Sequence, residues 1–166
     1  MVFMLMPIIE NYNIDIHPDS SWKIVSPNKS SHALPLYLDE WGHFICGDKY
    51  YTCRRNQQNY LLFYTTDGCG ELEYMDEKYV LNQNSLVVMQ CFEPHRYQTV
   101  PNGTWDFFWF HFDGSAAEQY VRLINYNGLK VFHLDPENEK ASEIIRIIPA
   151  FSDLADRSDL SSSVDI

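Results

Sequence analysis

Trp105-Asp106-Phe107-Phe108-Trp109-Phe110-His111-Phe112 is apolar at nearly every position. In an extended chain successive side chains point to opposite faces, so Trp105, Phe107, Trp109 and His111 share one face and Asp106, Phe108, Phe110 and Phe112 the other. A strand of this kind must be covered on both sides, one face lining the interior of a sandwich and the other packing on helices. Working back to Trp41, short apolar or alternating runs are cut by turn residues at the spacing of an antiparallel sandwich or barrel. Strands are expected at roughly 43–46, 50–55, 60–66, 70–75, 78–81, 85–91, 95–100 and 105–112, with ends good to about two to four residues. Between them, Asp67-Gly68 and Gly70 permit φ > 0, Met75-Asp76-Glu77-Lys78 is a polar reversal, and Pro101-Asn102-Gly103 closes a hairpin.

After Gly114 the period changes from two to about 3.6. Ala117, Tyr120, Val121 and Ile124 fall on one helical face, with Ser115 as N-cap and Asn127-Gly128 as the stop. Val131-Phe132-His133-Leu134 is a short extended run. Asp135-Pro136 opens a second helix with Ala141, Ile144, Ile145 and Ile148 as its stripe, and Pro149 ends it. Ser158-Asp159 caps a third, with Leu160 and Val164 four apart. The expected fold is mainly β: an antiparallel β-sandwich or barrel followed by C-terminal α-helices.

The 166 residues, 45% apolar and 15% aromatic, suit one domain with a sizeable core. Lys plus Arg total 12 against 23 Asp plus Glu, a formal net charge of −11, so most of this surface repels a phosphate backbone. Cys46, Cys53, Cys69 and Cys91 form no C-x-x-C pair and lie in apolar or strand-like runs, as reduced residues of a cytoplasmic protein would. Met1 to Ile9 is apolar but lacks a basic segment and a cleavage site. No segment approaches the ~18 apolar residues of a membrane span.

The aromatic strand alone is compatible with a plain core. A pocket reading gains from its company: His95, Tyr97 and Thr99 alternate onto one face of the preceding strand, and Tyr60, Leu62 and Tyr64 onto a face of another. Mixed Trp, Tyr and His on facing strands require partners for their hydroxyl and imidazole groups, which a ligand with polar edges and apolar faces supplies. His95 is open to two readings, a hydrogen-bonded core residue orienting the Pro94 turn or a neutral donor and acceptor at the pocket. Of Arg54 and Arg55 at most one enters the barrel, and Arg55 is the residue assigned there, its fork suited to a hydroxyl pair or a carboxylate. His43 and His111 read as structural; His17 and His32 fall in polar loops.

Three ordered pieces carry a family resemblance: Arg55 with Asn59-Tyr60-Leu61-Leu62-Phe63-Tyr64-Thr65-Thr66-Asp67-Gly68-Cys69-Gly70, then Pro94-His95-Arg96-Tyr97, then Trp105 to Gly114. Over residues 37–148 the chain resembles the ligand-binding, cupin-like half of AraC-type bacterial transcription regulators. The resemblance implies a small-molecule effector, commonly a sugar or glycoside, and a ligand-binding set of Arg55, Tyr64, Asp67, His95, Tyr97, Trp105, Phe107 and Trp109, with Trp109 stacking on the sugar. Asp67 matches a position that is basic in an arabinose-responsive member, which implies a different ligand preference. A family Pro-Gly-Asp turn reads Gln83-Asn84-Ser85 here, with Asn able to adopt the left-handed conformation. The implied organisation is an N-terminal arm at 1–35, with apolar beads Ile8, Ile9, Tyr12, Ile14, Trp22 and Ile24, an effector-binding barrel at 36–114, and a truncated helical dimerisation segment at 115–166. DNA would be reached only through a helix-turn-helix half absent from these residues, and a homodimer is possible.

Metal-binding cupins carry His-x-His and Glu before the first glycine. Arg54-Arg55-Asn56-Gln57-Gln58-Asn59-Tyr60 has neither, leaving His95 as a single candidate where a catalytic metal takes about three protein ligands. No metal or cofactor and no enzymatic chemistry are therefore expected. The rival readings are a cupin-fold sugar-processing enzyme, for which no acid-base pair is visible, and a carbohydrate-binding module.

Overall fold

The structure is a computed structural model describing residues 9–24 and 33–162, with side chains described at 11–24 and 33–150. The elements run β1 (Ile9–Asn13), β2 (Ser21–Ile24), β3 (Tyr37–Cys46), β4 (Tyr51–Arg55), β5 (Tyr60–Tyr74), β6 (Glu77–Asn82), β7 (Ser85–Gln90), β8 (His95–Thr99), β9 (Trp105–Asp113), α1 (Ala117–Ile124), β10 (Val131–His133) and α2 (Glu139–Ser162). The pairings between these strands are antiparallel, in the order β1-β4-β8-β5-β9-β3-β2, with β6 and β7 also on β5 and β10 on β7.

The expected strands at 60–66 and 70–75 are one strand, β5. Its first half, Tyr60 to Gly68, pairs with β9, and its second half, Gly70 to Tyr74, pairs with β8. The Asp67-Gly68 signal marks a bulge between Thr65 and Asp67, which adds a residue and bends the strand from one sheet into the other. Gly68 has φ +71°, and a Cβ there would lie 2.1 Å from the Thr104 carbonyl oxygen. Gly70 does not take positive φ; its lack of a side chain makes room for the Trp105 indole, whose ring carbons lie 2.4–2.6 Å from where a Cβ would stand. The other turns follow their chemistry: Met75 and Asp76 have φ 51° and 65°, Asn84 65° and Asn102 59°.

β9 is covered on both sides. Trp105, Phe107 and Trp109 join Phe44, Tyr50, Phe63, Leu72 and Tyr97 inside the barrel. Phe108 and Phe110 join Trp41, Tyr64, Leu134 and Ile148 outside it. The interior rings meet largely edge to face, Phe63 on Tyr97 at 4.8 Å and on Phe107 at 5.6 Å, arrangements that add about 0.5–1.5 kcal/mol each beyond the area they bury.

The helices differ from expectation in detail. Ala117 and Val121 are buried but Tyr120 is exposed, and the cap is Ala116 because the Ser115 hydroxyl donates to the Leu34 carbonyl instead. α2 is opened by Asn138, whose side-chain oxygen accepts from the Lys140 and Ala141 amides; Asp135 lies in the turn before it, its side chain accepting from the Glu137 amide and its carbonyl from the Asn138 amide. Ala141, Ile145 and Ile148 pack on the outer cluster while Ile144 is exposed. Pro149 lies inside α2 and Ser158-Asp159 does not begin a new helix; Val164, Ile8 and His32 lie outside the described residues. Within the described residues of the arm, β1 pairs with β4 and β2 with β3.

Candidate functional site

Strand alternation sets the inner face of the barrel. From β4 it takes Thr52 and Arg54, from β8 His95, Tyr97 and Thr99, and from β9 Trp105, Phe107, Trp109 and His111. A cavity of about 40 Å³ opens there, lined by Ile14, Trp22, Glu40, Phe44, Tyr50, Thr52, Arg54, Tyr97, Phe107, Trp109 and His111. That volume holds about two or three waters. Trp22 and Ile14, 60% and 47% exposed, form its mouth, and the other extreme is His111 at 1%.

Trp109 forms one wall. Its indole lies over Gly42, where a Cβ would stand 2.7 Å from Cε2, and meets Phe44 at 5.3 Å and Trp22 at 6.3 Å. It is 7% exposed, and its Nε1 has no hydrogen-bond partner among the described residues. A buried donor without an acceptor costs about 1–3 kcal/mol, a cost that any acceptor reaching this atom removes. At the mouth the Trp22 Nε1–H donates to Glu40 Oε2 at 3.1 Å.

The floor is polar. Arg54 Nη1 lies 3.3 Å from Gln57 Oε1 and 3.5 Å from His111 Nε2. His111 Nδ1 is 3.2 Å from Asn59 Oδ1, and the Asn59 amide donates to Asp39 at 3.2 Å. The His111 Nδ1–H is therefore the donor to Asn59, leaving Nε2 to accept from Arg54. Burial, then the Arg54 charge, lower the His111 pKa to about 3, so the Glu40 carboxylate 3.9 Å from Nε2 faces a neutral ring. His95, 3% exposed, donates from Nδ1 to the Glu93 carbonyl at 2.8 Å; burial, then the neighbouring Arg54, lower its pKa against the raising effect of that bond. Burial lifts Tyr97 to about 12 and Tyr50 well above its usual value, so both phenols stay protonated. The cavity thus offers guanidinium, indole and phenol donors, carboxylate and imidazole acceptors, and aromatic walls.

Of the residues singled out in the sequence, Tyr97, Phe107 and Trp109 line the cavity together. His95 and Trp105 are interior but do not line it; Trp105 donates to Thr65 Oγ1 at 3.1 Å. Arg55 is exposed at the end of β4, and Arg54 takes the inward place. Tyr64 lies in the outer cluster, its hydroxyl donating to Asn84 Oδ1 at 3.0 Å, and Asp67 is exposed beside the bulge. His111, read as structural, lines the cavity; its shared parity with Trp109 was the available signal. Glu40, Phe44, Tyr50, Thr52, Ile14 and Trp22 carried no local motif. On the outer face His43 stacks on Phe108 at 4.3 Å and contacts Asp106 Oδ1 through Nε2 at 2.7 Å. Among the described residues no group of three or more His, Cys, Asp or Glu is arranged to hold a metal.

The family model for the AraC-like ligand binding domain matches residues 37–163. The chain belongs to that family. Similar solved structures include the plu4264 protein from Photorhabdus luminescens (15% identity, TM-score 0.45, 70% of this chain and 90% of that one). Others are the Cupin_2 domain of an XRE family transcriptional regulator from Enterobacter cloacae (13%, 0.44, 55% and 94%) and KdgF from Halomonas sp. (17%, 0.40, 61% and 86%). No curated protein matches the sequence.

Proposed function

We propose that this AraC-like domain binds a small polar effector, a sugar or glycoside, in the barrel interior and that the bound state alters how an attached helix-turn-helix half meets DNA. The observation that supports this most is Trp109: a buried indole with an unpartnered N–H beside hydroxyl, guanidinium and carboxylate groups suits a ring with an apolar face and polar edges. The present cavity is too small for such a ring, so binding requires the mouth to open. Trp22 and Ile14, exposed at the mouth and contributed by the arm region, are the residues that would have to move. In this reading the protein is a cytoplasmic, homodimeric regulator, catalysis is not its role, and β1, β2 and the residues around them act as the arm. Titration of sugars and glycosides against intrinsic fluorescence tests it. A saturable change that is lost in Trp109→Phe supports the reading, and an equal response from wild type and variant counts against it.

A further inference from the structure

We propose that the effector carries an ammonium group, on a sugar framework an amino sugar, with the cation between the Trp22 and Trp109 indoles against the Glu40 carboxylate and a neighbouring oxygen accepting from Trp109 Nε1; this rests on the barrel interior being the effector site. The composition of the lining points to a cation. Six of the described lining residues are aromatic, Trp22, Phe44, Tyr50, Tyr97, Phe107 and Trp109, and Glu40 is the one carboxylate among them. Ring faces carry the negative part of the aromatic quadrupole, and a cation within about 6 Å of a ring centroid is drawn to them. A neutral sugar needs one such wall, whereas several rings around a carboxylate replace the hydration of an alkylammonium. The net charge of −11 also raises the concentration of cations around the chain.

The contacts put Glu40 at the border of the same space as both indoles. Its Oε2 accepts from Trp22 Nε1 at 3.1 Å and its Oε1 stands 3.9 Å from His111 Nε2, while Trp22 and His111 lie against the Trp109 ring at 6.3 and 5.7 Å. Neither contact neutralises the carboxylate. The indole is uncharged, His111 is held neutral by burial and by Arg54, and among the described residues no lysine or arginine lies within ion-pair distance of Glu40. Its oxygens keep further acceptor sites for an incoming cation. With its side chain 19% exposed, Glu40 is screened less by solvent and salt than a surface carboxylate.

Arg54 is the opposing charge. Its Nη1 is turned to Gln57 and His111 on the floor, so it repels a cation that goes deeper and confines the ammonium to the mouth side of Glu40, where Trp22 stands 60% exposed. Trp109 supplies the second observation. Its Nε1–H is buried and has no partner among the described residues; being a donor, it cannot be satisfied by an ammonium, which has no lone pair. A ligand with its cation on Glu40 therefore presents a separate oxygen to that atom. The recognised unit is an amine with a hydroxyl or ring oxygen close by, as in an amino sugar.

The test is calorimetric titration of the 166-residue chain at about pH 6, below the ordinary range of amines, in about 0.15 M salt to screen loose attraction to the acidic surface. Glucosamine and galactosamine are compared with glucose, galactose and the N-acetyl derivatives, and choline with its uncharged tert-butyl isostere. The expected result is an amino sugar bound at least about tenfold more tightly than its parent sugar and its amide. Glu40→Gln keeps an acceptor for Trp22 and removes the charge, and should bring that ratio to within about twofold. Trp22→Leu, at an exposed ring, should lower it several-fold. If Glu40→Gln does not fold, Trp22→Leu decides. Choline bound through Glu40 and Trp22 while every sugar fails would keep the ammonium and remove the sugar. Parent sugars binding as tightly as their amines, with quenching of Trp109, overturn the ammonium and leave the interior site intact. Amines that bind equally to wild type and to both variants, or no amine binding at all, overturn the inference.

Discussion

Gly42→Ala probes the packing that holds Trp109 in place. A Cβ on residue 42 would stand 2.6 Å from the Ser21 carbonyl oxygen and 2.7 and 2.8 Å from Trp109 Cε2 and Cζ2. All three are inside contact distance, so the indole must turn toward the cavity or β2 must lift from β3, where Trp22 pairs with Gly42. Overpacking of this kind costs about 1–3 kcal/mol. At about 2–4 °C per kcal/mol for a chain of this size, the midpoint of thermal unfolding should fall by roughly 2–12 °C. Adding Trp109→Phe removes the two ring carbons but leaves the Ser21 oxygen in place, so the double variant should recover part of the loss. Differential scanning calorimetry of the two single variants and the pair makes the comparison. An unchanged midpoint in Gly42→Ala, or a double variant showing the sum of two independent losses, would refute this packing.

Three other outcomes follow from the same geometry. Burial alone would raise the Asp106 carboxyl, but hydrogen bonds from His43 and Thr66, with the His43 charge, hold it below its usual value. That contribution is present above the unfolded value of about 3.9 and is lost as pH falls through the folded one; in urea melts Asp106→Asn should therefore be less stable than wild type at pH 7, and the difference should shrink as pH falls below the carboxylate range. Gly70→Ala, which forces a methyl into the Trp105 indole, should destabilise by about 1–3 kcal/mol without altering the Trp109 wall, checked by denaturant titration together with ligand binding. Cys46 and Cys91 are buried, and burial raises both thiols, whereas Cys53 and Cys69 are partly exposed. A thiol reagent at pH 8 should label no more than two of the four cysteines until the protein unfolds.

The two-sided apolar pattern of residues 105–112 was enough to read the barrel, because alternation fixes which side chains share a face whatever the neighbours are. The bulge in β5 was not legible as such: Asp67-Gly68 signals a reversal equally well, and only the pairing of both halves distinguishes the two. The same limit explains the site. Trp109, Phe107 and Tyr97 followed from parity, but the choice between Arg54 and Arg55 depended on the register of β4 against β8, and a one-residue shift exchanges the faces. Tyr64 was misplaced for that reason, since Phe63 is the inward residue of its strand. Glu40 and Trp22 come from distant segments that only the β2–β3–β9 arrangement brings to the mouth. Proline predicts a stop at position 149, yet α2 continues through Pro149.

The chain has four tryptophans, at positions 22, 41, 105 and 109, and they occupy distinct places. Trp109 and Trp22 line the cavity, Trp105 is tied to Thr65 in the interior, and Trp41 lies in the outer cluster. Their indole N–H resonances, assigned by single Trp→Phe variants, form a map of where an effector lands. An effector held in the barrel should move the Trp109 signal most, as its free N–H gains an acceptor, with Trp22 next and Trp41 unmoved. A ligand that shifts Trp41 and leaves Trp109 unchanged would place binding on the outer face and contradict an interior effector site.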